Sequence, residues 1–104
     1  AVGIGDEGLS EVTRFELVGN YPNPFNPSTS IQYTLPQRSD VVITIYNTLG
    51  QQIRTLLREN RNAGFHEVKW NGLDDVGQQV VSGIYFYRLQ AADFVQTRKM
   101  MLLK

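Results

Sequence analysis

Short stretches in which apolar and polar residues alternate recur along this chain, and they constrain its fold more than any other feature. In the clearest stretch, residues 82–91, every second side chain is apolar or aromatic. Period two places such side chains on one face of a β-strand, and aromatic and branched residues favour strands. We predict a central strand here that pairs on both sides. Its apolar face consists of Tyr85, Tyr87, Leu89 and Ala91.

The same alternation predicts six further strands, with turn residues roughly 8–12 positions apart. Seven short strands with almost no helical periodicity are typical of an all-β, immunoglobulin-like antiparallel β-sandwich. Because the chain contains no cysteine, this sandwich has no disulfide, and packing and backbone hydrogen bonds must hold it together. The six strands are predicted at residues 13–18, 31–35, 41–45, 51–57, 65–70 and 94–103.

The connections between these strands are also predictable. We expect a tight turn at Ala92 and Asp93, and a turn at residues 47–50 that Gly50 closes with a positive φ. A polar loop is predicted at residues 58–64. A helix over residues 54–60 is the less favoured alternative, because the flanking segments are strand-like.

Residues 20–27 contain three prolines within six positions. Proline fixes φ and has no N–H to donate, so this segment is neither a helix nor a central strand. We predict a stiff, extended crossover that Tyr21 and Phe25 anchor in the core. A proline-rich ligand for a recognition module is the alternative.

Residues 1–12 are rich in glycine and acidic residues, and we predict a linker or arm there, followed by one domain at residues 13–104. The chain does not begin with Met and has no signal-peptide pattern at its start, so we expect it to be part of a longer protein.

Ten basic and ten acidic residues give zero net charge, which argues against a nucleic acid or an anionic membrane as partner. No apolar run approaches the ~20 residues of a lipid-spanning helix.

The sequence offers little catalytic chemistry. The single histidine, His66, alternates in register with Val68 and Trp70, which is typical of a strand residue. There is no Gly-x-Ser-x-Gly elbow and no phosphate-binding glycine loop. We therefore expect no enzymatic activity and no cofactor.

Asn71, Asp74 and Asp75 are the one candidate metal site. Their oxygens, on a loop with Gly77, could bind Ca²⁺, although calcium takes more oxygens than these three residues supply. The alternative is that they cap their own backbone, as Asn and Asp usually do in turns. We favour capping and predict no metal.

Aromatic residues on a β-sandwich can also bind sugars. Trp70, Tyr85 and Tyr87 alternate with apolar residues, so we expect them in the core. Tyr46 and Phe86 have the opposite parity and could form an exposed carbohydrate platform.

Five segments of the chain carry a specific resemblance. They are residues 20–27 (NYPNPFNP), 45–51 (IYNTLGQ), 70–72 (WNG) with 75–78 (DVGQ), 82–89 (SGIYFYRL) and 97–104 (TRKMMLLK). In this order they resemble the type A C-terminal sorting domain of the type IX (Por) secretion system. The middle segments also resemble the immunoglobulin-like domain of flagellar hook-capping proteins, and the likeness covers about residues 17–104.

This resemblance implies a domain that acts as an address label and not as an enzyme. The cargo, frequently a polysaccharide hydrolase, would reach the periplasm by its own N-terminal signal. The type IX machinery would then recognise the C-terminal domain and move the protein across the outer membrane to the cell surface or the medium. The implied partners are this machinery, a sortase-like protease that often removes the domain, and the N-terminal cargo domain.

We expect the last strand at a sheet edge, where unpaired backbone groups invite strand addition by a receptor. Basic residues bracket its apolar end, so charge would orient a partner and apolar side chains would supply contact area. Either parity leaves a basic residue on its apolar face, so its inward side stays open. The candidate recognition residues are Gly83, Asp93, Arg98, Lys99, Met100, Met101, Leu102, Leu103 and Lys104.

Three other interpretations remain open at this point. The last strand could be an ordinary closing strand that ends in a solvated lysine. The domain could instead be a carbohydrate-binding module, or an inert immunoglobulin-like spacer of a secreted enzyme.

Overall fold

The computed structural model of the chain describes residues 12–104, which form seven β-strands and no helix. The predicted linker at residues 1–12 lies, except for its last residue, outside the described residues. The strands are β1 (Glu16–Tyr21), β2 (Thr29–Leu35), β3 (Ser39–Tyr46), β4 (Gln52–Arg61), β5 (Gly64–Trp70), β6 (Gly83–Ala91) and β7 (Phe94–Leu102).

The strands form two antiparallel sheets with the orders β1-β2-β5 and β4-β3-β6-β7. One cluster of buried apolar side chains from both sheets fills the space between them. The predicted immunoglobulin-like sandwich is therefore confirmed. So are the central position of β6, between β3 and β7, and the position of β7 at a sheet edge.

Trp70, Tyr85 and Tyr87 lie in this core, as the alternation predicts. The Trp70 ring packs against Phe25 at a centroid distance of 5.6 Å and edge-on against Tyr85 at 5.5 Å. The polar tips of these rings are satisfied, because Trp70 Nε1 donates to the Leu73 carbonyl at 2.9 Å and the Tyr85 hydroxyl donates to the Val81 carbonyl at 2.6 Å. Such partners allow buried Trp and Tyr to contribute their large apolar area without an unpaired donor.

The prediction that Tyr21 anchors the proline segment in the core is wrong, whereas Phe25 is buried as predicted. A β-bulge between Leu17 and Gly19 inserts one residue into β1, so that Leu17 faces Tyr33 but Tyr21 faces Ser30. Because side chains alternate with period two, one extra residue moves every later side chain to the opposite face. Tyr21 consequently points to solvent and is 76% exposed.

The predicted polar loop at residues 58–64 is also wrong, and the alternative helix at residues 54–60 does not form. Strand β4 continues to Arg61, and its last four residues pair with the first four residues of β3. Polar side chains alone made this half of β4 look like a loop. Its backbone N–H and C=O groups nevertheless pair with β3, which makes it a strand.

Candidate functional site

Strand β7 pairs with β6 along its whole length, and no second strand of its sheet lies on its other side within the described chain. Its inward parity is now resolved: Phe94, Met100 and Leu102 point towards the core, and Met100 and Leu102 are fully buried. In the folded domain these two predicted recognition residues are therefore core residues. The apolar contact area at this end comes from the residues that alternate with them, Met101 (37% exposed) and Leu103 (49% exposed).

Two other candidate residues, Gly83 and Asp93, lie at opposite ends of the β6–β7 hairpin. Gly83 pairs with Leu102, whereas Asp93 lies in the turn that joins the strands, so they are about 26 Å apart at roughly 3.3 Å per residue. The nine candidate residues thus do not form one patch. Gly83 adjoins the apolar end, and Asp93 does not.

The proline segment runs beside the end of β7. The Phe25 N–H donates to the Met101 carbonyl at 2.9 Å, and the Leu103 N–H donates to the Phe25 carbonyl at 2.9 Å. The side-chain oxygen of Asn23 accepts the Met101 N–H at 3.0 Å. We name residues 22–27 the strap, because they cover the outer edge of β7 at Met101 and continue to Leu103, which follows the strand. Sequence reasoning missed this pairing, and the only signal for it is that the aromatic residue among these prolines still has an N–H to donate.

Asn20 holds the start of the strap between the two sheets. Its side-chain nitrogen donates to Thr29 Oγ1 at 3.0 Å and to the Pro22 carbonyl at 3.3 Å. Its side-chain oxygen accepts the Tyr87 hydroxyl of β6 at 2.9 Å, while the buried Thr29 hydroxyl donates to the Pro22 carbonyl at 2.8 Å. These bonds fix the strap on the side of the sandwich where β1 and β7 meet.

The three basic residues of the chain end have different environments. Arg98 lies on the inward parity of β7 but at the open corner, beside Gly19 and the Tyr87 hydroxyl, and is exposed. Lys99 points outward into solvent. Lys104 is held, because its Nζ donates to the Val80 carbonyl and its N–H donates to Ser82 Oγ at 3.2 Å.

Two of the three candidate calcium ligands, Asp74 and Asp75, accept backbone hydrogen bonds. Asp74 Oδ1 accepts the N–H groups of Val76 and Gln78 at 3.1 and 2.9 Å, and Asp75 Oδ1 accepts the Thr55 N–H of β4 at 3.0 Å. Within residues 12–104, no three His, Asp or Glu side chains stand together in an arrangement that could hold a metal ion. This geometry fits the capping interpretation for Asp74. Asp75 instead bonds to a distant strand, and the Asn71 side chain is exposed.

The remaining candidates are built into the sandwich. The His66 ring stacks on Tyr33 at 5.3 Å, and its Nε2 lies 2.7 Å from the Asn62 carbonyl. Tyr46 and Phe86 are half-buried on the outer face of the four-stranded sheet, and the Arg88 guanidinium lies 4.9 Å from the centroid of the Tyr46 ring. Arg88 therefore occupies one face of the aromatic ring that a sugar would need.

No helix long and apolar enough to cross a membrane occurs in the part of the chain that the structure describes.

Comparison with known proteins agrees with the architecture. The family of FlgD Ig-like domains matches residues 26–93, which extend from just before β2 to the β6–β7 turn. A search of curated proteins found no match.

Among solved structures, the chain is similar to PorZ, an essential bacterial surface component of the type-IX secretion system of the human oral-microbiomic Porphyromonas gingivalis. The TM-score is 0.57 at 21% identity, and the match covers 96% of this chain but only 13% of the PorZ chain. At 21% identity this similarity shows a shared fold and nothing more. Because the family match includes five of the seven strands and well over half of the residues, the chain belongs to the family of FlgD Ig-like domains.

Proposed function

We propose that this domain is a C-terminal sorting domain. In this role it catalyses nothing, and it directs a larger cargo protein across the outer membrane to the cell surface through the type IX secretion machinery. The observation that carries the proposal is the contact between the strap and the end of β7. These two segments carry the most specific part of the resemblance to sorting domains. They lie at opposite ends of the domain sequence and meet on one side of the sandwich.

The surface they form has the composition that a recognition site requires. Met101 and Leu103 supply exposed apolar area next to the prolines of the strap, and Arg98 and Lys99 add positive charge. Apolar contacts supply affinity, and charges set the orientation and rate of an encounter. The proposed partners are the type IX machinery, a sortase-like protease and the N-terminal cargo domain.

Display of a reporter on the cell surface tests this function. Residues 12–104 would be fused behind a periplasmic reporter with its own export signal, in a host with type IX secretion, and surface reporter measured by flow cytometry. Deleting residues 98–104 would remove the core residues Met100 and Leu102, so point substitutions are the cleaner test.

The double substitution Met101→Asn and Leu103→Asn changes only exposed apolar side chains of the proposed surface. We expect display to fall by about tenfold or more, since each lost apolar anchor is worth about 1–2 kcal/mol. The matched control is Val18→Asn with Phe65→Asn, which changes two exposed apolar residues associated with the other sheet. Equal display of both variants, or no display of the unsubstituted fusion, would refute the proposed function.

A further inference from the structure

The N-terminal half of β7 has backbone groups that face away from its only partner strand. The N–H and C=O of Met101 both form hydrogen bonds with the strap, so they point away from β6. Pairing between β6 and β7 is regular, and in an antiparallel strand every second residue points its N–H and C=O to the same side. Val95, Thr97 and Lys99 therefore also direct both groups outward.

No backbone partner for these outward groups occurs within residues 12–104. The strap covers the edge only from Met101 onward. Strand β1 contacts inward-facing side chains of this half, where the Leu17 N–H donates to Gln96 Oε1 at 3.0 Å, whereas the side chains of Val95, Thr97 and Lys99 on the outer face are exposed. We name residues 95–99 the open edge. A row of unpaired N–H and C=O groups is a template for the addition of another strand.

The charges of the open edge restrict which strand can pair with it. Its two charged residues are both basic: Lys99 on the outer face of the sheet and Arg98 on the inner parity. The ion pairs of the described chain are Arg14–Glu16 and Arg61–Glu59, so neither of these cations is neutralised by a carboxylate there. An incoming strand with acidic side chains on both of its faces would gain two ion pairs.

A second copy of this chain is a poor occupant. Antiparallel pairing of two open edges about Thr97 would align all outward backbone groups, with Val95 opposite Lys99. It would also place the Arg98 side chains of the two copies at diagonal positions about 7–8 Å apart, within reach of each other. Inward-pointing and edge charges of this kind are how natural sheets prevent self-pairing.

We propose that the open edge binds, by strand addition, an extended segment of a partner protein that carries consecutive acidic residues. One carboxylate of the segment pairs with Lys99 on the outer face, and the next pairs with Arg98 on the inner side. We take the partner to be a component of the secretion machinery, so this inference rests on the proposed function.

Backbone amide exchange measured by NMR tests the proposal directly. The probe is the capped hexapeptide Thr-Val-Glu-Glu-Val-Thr, and its control carries Gln in place of both Glu residues. We expect the acidic peptide to slow exchange of the Val95, Thr97 and Lys99 amides, and the control to bind about tenfold more weakly, since charge-assisted bonds are roughly twice as strong as neutral ones. The amides of Gln96 and Arg98, which point towards β6, should change little.

Two substitutions separate backbone pairing from simple charge attraction. Thr97→Pro removes an outward N–H that the β6–β7 ladder does not use, and Thr97→Ala is the matched control that keeps this N–H. Lys99→Glu reverses one charge and leaves the backbone intact. We expect Thr97→Pro and Lys99→Glu each to abolish the protection and Thr97→Ala to retain it.

Three results would overturn the inference: equal protection by the acidic and the control peptide, protection at residues other than the open edge, or protection without peptide that rises with protein concentration. The last would identify a second copy as the occupant. In the display assay, normal display of Thr97→Pro together with loss of display by the Met101 and Leu103 variant would also overturn it, while the proposed function would stand. If the unsubstituted fusion is not displayed, the proposed function fails, and the peptide experiment decides on the open edge independently.

Discussion

Phe25 and Met101 are joined by a backbone hydrogen bond of 2.9 Å, so a residue before the second strand is paired with a residue of the last strand. The Phe25 ring is buried in the core against Trp70. One residue thus anchors the strap in the core through its side chain and closes the edge of β7 through its backbone. The predictions that follow test this arrangement and the sandwich that supports it.

Replacing Phe25 should be far more damaging than replacing its exposed neighbour Tyr21. Phe25→Ala removes a buried ring and leaves a cavity beside Trp70, so we expect the free energy of unfolding to fall by about 3–5 kcal/mol. Tyr21→Ala, in the same segment, should change it by less than about 0.5 kcal/mol. Urea denaturation followed by Trp70 fluorescence measures both, and equal losses would contradict the assigned orientation of β1.

Gly72 is expected to tolerate alanine less well than Gly77, although both lie in the β5–β6 connection with positive φ. A Cβ at Gly72 would approach the Pro27 carbonyl oxygen of the strap to 3.3 Å, whereas a Cβ at Gly77 meets nothing within 4 Å. Gly77→Ala should therefore cost only the backbone strain of about 1 kcal/mol, and Gly72→Ala about 1 kcal/mol more. Thermal unfolding of the two variants gives the comparison, and the same midpoint for both would show that the strap does not press on this loop.

Ala92 has a φ of +53° in the β6–β7 turn, where a residue with a Cβ is strained. Ala92→Gly should raise the free energy of unfolding by about 0.5–1 kcal/mol, because relief of this strain outweighs the entropy that glycine adds to the unfolded chain. The control is Ala91→Gly, in the buried end of β6, which should lower it by about 1 kcal/mol. A loss of stability in Ala92→Gly would indicate that the turn has a different backbone conformation.

The hydroxyl groups of two buried tyrosines should contribute differently to the free energy of unfolding. Tyr87 donates to Asn20, so Tyr87→Phe removes a hydrogen bond and should cost about 1 kcal/mol. The Tyr33 hydroxyl is buried without a partner in the described chain, so Tyr33→Phe should be neutral or stabilising by up to about 1 kcal/mol. Chemical denaturation at pH 7 distinguishes the two, and a clear loss in Tyr33→Phe would reveal a partner for that hydroxyl.

Stability should decrease at alkaline pH. Burial raises the pKa of both Tyr33 and Tyr87 above the ordinary value of 10.0, although Arg61 and Arg98, respectively, partly oppose the increase. Above pH 10 the unfolded state loses these protons first, so the folded state binds more protons and stability falls as pH rises. Below pH 10 the contribution is fully present. Unfolding measured from pH 8 to pH 11 should show the decline, and the double variant Tyr33→Phe, Tyr87→Phe should show a shallower one.

Much of the fold was predictable because side-chain alternation is local. Trp70 and Tyr87 lie in the core where period two placed them, and β7 lies at an edge. The errors have specific physical causes. One extra residue in β1 turned Tyr21 outward, and the polar residues at the end of β4 still had backbone groups to pair.

The candidate site was less predictable, because pairing between distant segments leaves almost no local trace. Alternation located the basic residues of β7 but could not decide which parity faced the core. Met100 and Leu102 therefore entered the predicted surface although they are buried. The partnership of Asn23 and Phe25 with Met101 arises only when the sandwich closes.

The strap has a consequence for biosynthesis. Phe25 emerges from the ribosome early, yet its N–H and C=O find partners only when Met101 and Leu103 have been made. A translation product that stops before these residues lacks Leu102 in its core and cannot form the backbone hydrogen bonds between the strap and the end of the chain. Such fragments would stay open to chaperones and proteases, so only a chain translated through this final stretch acquires a finished fold.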